Sequence, residues 1–410
     1  MRLRINGAVA GTPTRRVFQI WLWAILLISA LPSSLEAQFS YVTNNGSILI
    51  TGYSGPGGAV TIPSSITGLP VTGIGNNVFK QNFNLTSVTI PNTVTSIGNN
   101  TFDSCILLNQ ITLPDSVTNI GTRAFEVCFN VTNLVFGNGP ISIGDYAFYN
   151  LDALKDLVLG TNITSIGGHA FESCNLLTRI RIPDSVTNMG GAVFQLCEQV
   201  TNAIIGNGAT SVPGNAFSGD SALKSVAIGT NVTAIGSQAF SGCGLTTITI
   251  PDSVTLIDIS AFNQNANLTK VIVGSSVTSI GITAFASCGA MTGIYFKGDA
   301  PSVATRAFEN DTATVYYLPW KTGWTSTFGG LPTAPWNPPV EPALPAFQTT
   351  GFGFALVGFT NQVVVVEASA NISGSNWTPI GTNTLTAGAN FFHDDQSTNH
   401  PKRFYRLHTQ

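Results

Sequence analysis

Apolar and polar positions repeat along most of the chain with a period of about 23 residues. The clearest mark of the period is a recurring phenylalanine: Phe79, Phe102, Phe125, Phe148, Phe171, Phe194, Phe217, Phe240, Phe262, Phe285 and Phe308. Only the step from Phe240 to Phe262 is shorter, by one residue. A period of this length predicts a solenoid, in which each repeat forms one turn and buries its apolar face against its neighbours.

Three short segments make up each repeat. The stretch LLNQITL at 107–113 ends in alternating apolar and polar residues and predicts a strand, which Pro114 ends by removing a backbone donor. SVTNIG at 116–121 predicts a second short strand. RAFEVC at 123–128 predicts a short helical or 3-10 turn, because its apolar residues fall on one face at a spacing of three to four.

A glycine lies four residues before the phenylalanine in most repeats. It occurs as Gly75, Gly98, Gly121, Gly144, Gly167, Gly190, Gly236 and Gly281. The position predicts a tight corner that needs either a positive φ or a close approach of two backbones.

The repeat resembles the BspA-type leucine-rich repeat. The motifs that carry the resemblance are LTSVTIPNTVTSIGNNTFDSC at 85–105 and LLTRIRIPDSVTNMGGAVFQLC at 176–197, and the pattern covers about residues 40–337. The resemblance implies a curved leucine-rich repeat solenoid with a parallel sheet, found in exported and surface proteins. It implies binding rather than catalysis, without naming a ligand.

The segments outside the repeats predict the domain organisation. A basic start followed by the apolar run at 20–31 predicts a signal peptide, with an uncleaved membrane anchor as the alternative. Two alternating stretches around Asn44, Asn45 and Gly46 predict a hairpin in the N-terminal cap. The predicted segments are a signal peptide at 1–37, an N-terminal cap at 38–78, leucine-rich repeats at 79–312, a C-terminal cap at 313–337, a proline-rich linker at 338–346 and a β-sandwich-like module at 347–410.

The C-terminal segments carry many aromatic residues. The aromatics at Tyr316, Tyr317, Trp320, Trp324, Phe328 and Trp336 predict a seal over the open end of the solenoid, with an exposed ligand platform as the alternative. The last segment contains VEAS, NWTPIGTNT, FFHDD and NHPKRFYRL, and it resembles the small C-terminal β modules of many exported bacterial proteins. That resemblance implies an accessory or surface-association role.

Composition limits the classes of function. The net charge is −3 and 9% of residues are charged, so no basic field is present to attract nucleic acid. The chain contains no phosphate-binding loop and no nucleophile motif. His393, Asp394 and Asp395 are the only clustered polar residues of the tail that suggest chemistry, and a turn explains them more simply. We therefore expect no catalytic residues, no metal site and no cofactor.

The cysteines all lie three residues after a repeat phenylalanine: Cys105, Cys128, Cys174, Cys197, Cys243 and Cys288. Equivalent residues of adjacent turns should stack about 5 Å apart, so the first two and the next two could form disulfides. Cys243 and Cys288 are two turns apart and could not. The favoured interpretation is a ladder of buried thiols beside the core phenylalanines Phe102, Phe125, Phe148, Phe171, Phe194, Phe217 and Phe240.

The outward positions of the first strand of each repeat are the candidate binding surface. Neighbouring turns stack these positions into a partly apolar stripe, which is often an interaction surface. The candidate residues are Val135, Val158, Arg179, Arg181, Ile204, Lys270, Ile272 and Tyr295. The alternative is that β-branched residues simply suit exposed strands.

These observations predict a non-enzymatic protein that is secreted or held at the cell surface. We expect it to bind a protein or a glycan in an adhesion-like role, with no nucleic acid partner and no membrane span after signal cleavage. The first alternative is a purely structural component of an envelope or matrix. An exported enzyme with its site in the tail module is the second.

Overall fold

The structure is a computed structural model. It describes residues 37–336, 341–348, 351–358, 361–372, 376–386, 390–400 and 402–409. The predicted signal peptide therefore lies outside the described residues, apart from Ala37. The chain folds as two compact units, Met1–Glu198 and Gln199–Gln410.

The first unit is built from short strands. They are β1 (Phe39–Asn44), β2 (Ser47–Tyr53), β3 (Gly58–Thr61), β4 (Ser65–Ile66), β5 (Leu69–Ile74), β6 (Leu85–Thr89), β7 (Ser96–Ile97), β8 (Gln110–Thr112), β9 (Asn119–Ile120), β10 (Asn133–Val135), β11 (Ile141–Ile143), β12 (Ile163–Ile166), β13 (Arg179–Ile182) and β14 (Asn188–Met189).

Two sets of parallel strands run through the first unit. The first strands of the repeats form what we call the front sheet, with β3 paired to β6 and β8 to β10. The second strands form the back sheet, in the order β2-β5-β7-β9-β11-β12-β14. The antiparallel pair of β1 and β2 confirms the predicted hairpin, whose turn residues Asn45 and Gly46 both have positive φ.

The second unit continues the same arrangement and adds the tail. Its strands are β15 (Asn202–Ile205), β16 (Ser211–Val212), β17 (Ser225–Ala227), β18 (Ala234–Ile235), β19 (Thr247–Thr249), β20 (Leu256–Ile257), β21 (Lys270–Val273), β22 (Ser279–Ile280), β23 (Gly293–Phe296), β24 (Ser302–Val303), β25 (Thr314–Tyr317), β26 (Thr327–Phe328), β27 (Leu331–Pro335), β28 (Glu341–Gln348), β29 (Gly351–Val357), β30 (Val363–Ser369), β31 (Thr378–Thr384), β32 (Asn390–Asp394) and β33 (Phe404–Thr409). A 3-10 turn spans Ser397–Asn399.

The front sheet of the second unit pairs β15 with β17 and extends in the order β19-β21-β23-β25-β27-β26. Its back sheet has the order β16-β18-β20-β22-β24. Strands β25 and β27 add to the front sheet from within the residues predicted as the C-terminal cap. Counted over both units, the chain makes about 12 turns of this solenoid, which confirms the predicted fold class.

The tail forms two antiparallel sheets of three strands each. Their orders are β28-β29-β32 and β31-β30-β33. Their apolar residues make one buried core: Phe354, Leu356, Val364, Val366, Leu385 and Phe392. This is the small β module that the alternating tail strands predict, and its first strand begins at Glu341, within the residues predicted as a linker.

The repeat phenylalanines form the centre of each unit. In the first unit, rings of successive turns from Phe79 to Phe194 lie 4.9–5.4 Å apart and within 11° of parallel. In the second, from Phe217 to Phe308, they lie 5.1–5.7 Å apart. This spacing is close to that of hydrogen-bonded strands, so ring stacking and backbone pairing fit the same repeat.

The segment around each phenylalanine is not the predicted helical or 3-10 turn. It is a chain of turns in which the residues two before and two after the phenylalanine have positive φ, as Arg123 and Val127 do at 58° and 60°. A right-handed helix needs negative φ throughout. The N–H groups of Phe125 and Val127 donate to Ala147 and Tyr149 of the next turn at 2.8 and 2.9 Å, so they are not available for internal bonds.

The glycine before each phenylalanine is required by close backbone approach. None of these eight glycines has a positive φ. A Cβ added at Gly121 would lie 2.6 Å from the backbone carbon of Gly98 and 2.8 Å from the nitrogen of Asn99. A side chain at Gly121 would therefore collide with the neighbouring turn, although three repeats carry Pro213, Asp258 or Ala304 at the equivalent corner.

All six cysteines are buried thiols. Each Sγ lies 3.1–3.5 Å from the carbonyl oxygen of the phenylalanine in the preceding turn, to which it donates. Asn265 fills the same position in one repeat and donates to the carbonyls of Phe240 and Phe262 at 2.8 Å. In these seven repeats the residue at this position therefore supplies a donor to a buried carbonyl, whereas one other repeat has the apolar Leu151 there.

Candidate functional site

Seven of the eight predicted binding residues lie at outward positions of front-sheet strands, and Val158 lies at the equivalent position of a turn that forms no strand. Four belong to the first unit, Val135, Val158, Arg179 and Arg181, and four to the second, Ile204, Lys270, Ile272 and Tyr295. Each is exposed or half-buried, and Val158, at 75%, has the largest exposed fraction of the large apolar residues that the structure describes.

The front sheet of the first unit is interrupted at one turn. Residues 154–160, all within the described part of the chain, form no strand, although β10 precedes them and β13 follows them by one repeat each. Leu157 and Leu159 still point inward and are 6% and 8% exposed. Aspartate and leucine are poorer strand formers than the isoleucine, valine and threonine of other turns, which fits the loss of pairing.

A cleft of about 340 Å³ opens at this interruption. It is lined by Asp156, Leu157, Val158, Leu159, Arg179 and Arg181. The two arginines stand two residues apart on β13 and so project from the same face of the strand. The sequence predicted both as binding residues, and the structure adds the apolar residues beside them.

Neither Arg179 nor Arg181 forms an ion pair with a described residue, although Asp156 lines the same cleft. Of the six arginines in the described residues, the other four form ion pairs: Arg123 with Glu126, Arg306 with Glu309, Arg403 with Asp394 and Arg406 with Glu367. Among the same residues, no carboxylate lies within ion-pair distance of Arg179 or Arg181. A guanidinium with its five donors directed to solvent is suited to a carboxylate or phosphate partner.

A larger cleft of about 480 Å³ lies in the N-terminal cap. Its lining includes Tyr53, Phe79, Lys80 and Phe83. The charge of Lys80 is already paired with Asp103, 2.8 Å away, and Tyr53 covers the ring of Phe79 at 4.9 Å. This cleft therefore offers a ligand no unpaired basic side chain, unlike the cleft at Arg179.

In the second unit, Tyr295 lies beside two aromatic residues that the sequence favoured as part of the C-terminal cap, with an exposed ligand platform as the alternative. The ring of Tyr316 stacks on it at 4.7 Å, and the ring of Trp336 lies 5.1 Å away. The Lys270 Nζ lies 4.8 Å from the centre of the Tyr295 ring. Burial, followed by the neighbouring Tyr316, raises the pKa of Tyr295. The sequence contains an indication of this stacking: TVYY at 314–317 repeats the alternation of GIYF at 293–296 one turn later, which aligns Tyr316 with Tyr295.

The three residues His393, Asp394 and Asp395 of the tail make separate contacts. His393 Nε2 lies 3.0 Å from Asp395, whereas Asp394 is buried and is held by Arg403 and by the hydroxyl of Tyr405, which donates at 2.8 Å. Burial and this carboxylate raise the pKa of Tyr405 to about 12. Alternation along β32 thus separates the HDD residues onto opposite faces.

The described residues contain neither a candidate metal site nor a candidate membrane-spanning helix. No group of three or more histidine, cysteine, aspartate or glutamate side chains there is arranged to hold a metal ion. No helix in the same part of the chain has the length and apolarity of a membrane span.

Comparison with known proteins places the repeats in a family. The model of the BspA type leucine rich repeat region, which contains six copies of the repeat, matches residues 72–201 and 192–314, more than half of the chain. No curated protein sequence matches the chain.

Several solved structures are similar to the chain. A leucine rich cell surface protein from Faecalibacterium prausnitzii is 24% identical over 64% of this chain and 94% of that chain, with a TM-score of 0.35. A leucine-rich repeat protein from T. pallidum is 26% identical over 50% and 87%, with a TM-score of 0.39. One from Bacteroides ovatus is 22% identical over 73% and 90%, with a TM-score of 0.44. On the match to the repeat model, the chain belongs to the BspA-type leucine-rich repeat family.

Proposed function

We propose that the protein is a non-enzymatic binding protein, exported or held at the cell surface, whose front sheet binds a protein or a glycan. The cleft beside Arg179 and Arg181 is the observation that carries this proposal. Family membership supports a repeat protein that does not catalyse, and the basic and apolar segment at the start of the chain supports export.

The cleft is suited to a ligand that carries a carboxylate, sulfate or phosphate group. Two unpaired guanidinium groups supply the charge, and Val158 beside them supplies apolar surface. A charge-assisted hydrogen bond contributes about 1.5–3 kcal/mol, so the loss of one weakens binding roughly 10-fold or more. A purely structural role would not require this combination.

The test is a screen of residues 38–410 against arrays of glycans and of extracellular proteins. A ligand found there is then measured against Arg179→Glu/Arg181→Glu. We expect its affinity to fall at least 10-fold, and we expect binding by the unchanged protein to weaken as salt is raised. The control is Lys224→Glu/Lys402→Glu, which alters the net charge equally at two other exposed positions.

Two results would overturn the proposal. One is a ligand with a carboxylate, sulfate or phosphate group whose affinity is the same in both double variants and in the unchanged protein. The other is the absence of any ligand in either array, which would favour a structural component of the envelope or matrix.

A further inference from the structure

Apart from Trp320, the aromatic residues near the C-terminal end of the solenoid fall into two groups. Tyr317, Trp324 and Phe328 pack together with Phe296 and Phe308, at ring distances of 4.9–6.1 Å. This group covers the last turns of the core, as the sequence predicts for a cap. A second group, Tyr316 and Trp336 with Tyr295, lies on the outward side of the front sheet.

The geometry of the second group is fixed by the sheet. Tyr295 on β23 is in register with Tyr316 on β25, and their rings are 4.7 Å apart and 9° from parallel. The ring of Trp336 stands at 68° to that of Tyr295. The N–H of Trp336 donates to the carbonyl of Tyr317 at 2.7 Å, which ties the end of β27 to β25. Little conformational entropy remains to be lost when a ligand binds.

The neighbours of these rings leave all three residues partly exposed. Ala334 is in register with Tyr316 on β27, and its methyl group is too small to cover a phenol ring. Gly293 has no side chain, and the ring of Tyr295 leans over it, so that a Cβ there would lie 2.8 Å from the ring. Lys270, in register with Gly293, brings an ammonium group to the other side of the same ring.

The size of the group limits what it could bind. A large aromatic side chain has about 150–250 Å² to bury, and three partly exposed rings therefore offer a few hundred Å² at most. A stable protein–protein interface buries about 800 Å² on each partner. The group is too small for such an interface and matches the area of one or two sugar rings.

Its chemistry also matches a sugar. A pyranose ring presents C–H groups on one face and hydroxyl groups around its edge. Aromatic rings take the C–H face, while the hydroxyls of Tyr295 and Tyr316 and the ammonium of Lys270 can hydrogen-bond the edge. The outward residues two turns back, Thr247 and Thr249, continue the polar border along the sheet.

We infer that Tyr295, Tyr316, Trp336 and Lys270 form a carbohydrate platform that binds an uncharged hexopyranose unit of a glycan. This inference rests on the proposed binding function and names a ligand class for the second unit. It requires no charge on the ligand, unlike the cleft at Arg179 and Arg181. The two sites can therefore fail independently.

The experiment is a glycan array with residues 38–410, followed by titration of the bound glycan by calorimetry and by tryptophan fluorescence. We expect Tyr316→Ala and Trp336→Ala each to lower the affinity at least 10-fold. Tyr316→Phe keeps the ring and should stay within about 3-fold. The exposed Tyr41→Ala in the N-terminal cap and Arg179→Glu/Arg181→Glu should leave this affinity unchanged.

Circular dichroism spectra show whether the alanine variants are folded. Tyr316→Phe removes only a hydroxyl group, so its affinity can be measured without the risk that the loss of a whole ring disturbs the fold. Equal affinity in Tyr316→Ala, Trp336→Ala and the unchanged protein would overturn the inference. A glycan whose binding is lost only in Arg179→Glu/Arg181→Glu would also overturn it. A third such result is that the protein binds no uncharged glycan at millimolar concentration. In the last two cases the proposed function stands if the arginine variant loses its own ligand.

Discussion

Replacement of one central phenylalanine tests whether the stacked rings stabilise the solenoid as their geometry indicates. Phe171 is fully buried, and its ring lies 5.2 Å from that of Phe148 and 5.4 Å from that of Phe194. Phe171→Ala leaves a cavity that the rigid turns on either side cannot close. We expect a loss of about 3–5 kcal/mol in the free energy of unfolding, the range for a buried phenylalanine.

Two further variants divide that loss into its parts. Phe171→Leu keeps most of the volume and removes the stacking, which accounts for about 0.5–1.5 kcal/mol for each ring pair. In a double-mutant cycle with Phe148→Ala, the two losses should not add, because the residues share one stacked pair. Phe83→Ala is the control, since that ring is 52% exposed, and it should cost less than about 1 kcal/mol.

The assay is urea denaturation of residues 38–410, followed by circular dichroism. A repeat array can unfold in segments, so hydrogen exchange at the amides of Phe148 and Phe171 gives a local measure. These amides donate to carbonyls of the next turn at 2.9 Å in the unchanged protein. A loss below about 1 kcal/mol in Phe171→Ala, with unchanged exchange at Phe148, would refute the reasoning.

Three other predictions follow from the repeat. The six buried thiols should not react with a thiol reagent until the protein is unfolded. Burial raises the pKa of three of them to about 12 and the pKa of two others well above the usual value. Fewer than six reactive thiols after unfolding without reductant would indicate a disulfide. Burial raises the pKa of Asp311 to about 6, so the unfolded chain releases this proton first and stability falls as the pH rises from about 4 to about 6. Asp311→Asn, which copies Asn265 at the same repeat position, should stabilise the protein by about 1–2 kcal/mol above pH 6 and leave it unchanged below pH 4, after allowance for solvent screening; equal urea midpoints at pH 8 would contradict this. Gly121→Ala should lower the free energy of unfolding by about 1–3 kcal/mol, because its methyl group meets the backbone of the neighbouring turn. In the control Gly289→Ala, the methyl group has no atom within 4 Å, and the stability should be nearly unchanged. Equal melting temperatures for the two variants would show that the corner can move.

The main features of the fold could be predicted because the sequence repeats them. One period-2 segment fixes which residues of the first strand face inward, and each copy confirms the register of the next. Ile111 and Leu113 are buried while Gln110 and Thr112 are exposed, as alternation requires. The thiol position was predicted as core, but its hydrogen bond to the phenylalanine carbonyl could be recognised only when adjacent turns were in place.

The candidate sites were less predictable, because they lie where turns differ in packing while their sequence pattern stays the same. Leu157 and Leu159 occupy the positions of other inward strand residues, so the pattern predicts a strand where the structure has a cleft. Tyr316 and Trp336 were grouped with the cap by composition. The register of Tyr316 with Tyr295 and Ala334 shows that the two residues lie on the outward side of the sheet and not in the cap.

The sequence by itself determined the repeat, the fold class, the buried phenylalanines and the outward face, because each of these depends on periodicity along one chain. The tertiary structure decided three further features: the left-handed turns that replace a helix, the close approach that requires glycine, and the surroundings of Arg179 and Tyr295. These depend on the distance between one turn and the next. A hydrogen-bonded spacing near 5 Å brings together residues 23 positions apart, and their contacts, rather than their order in the chain, determine which surface is left for a ligand.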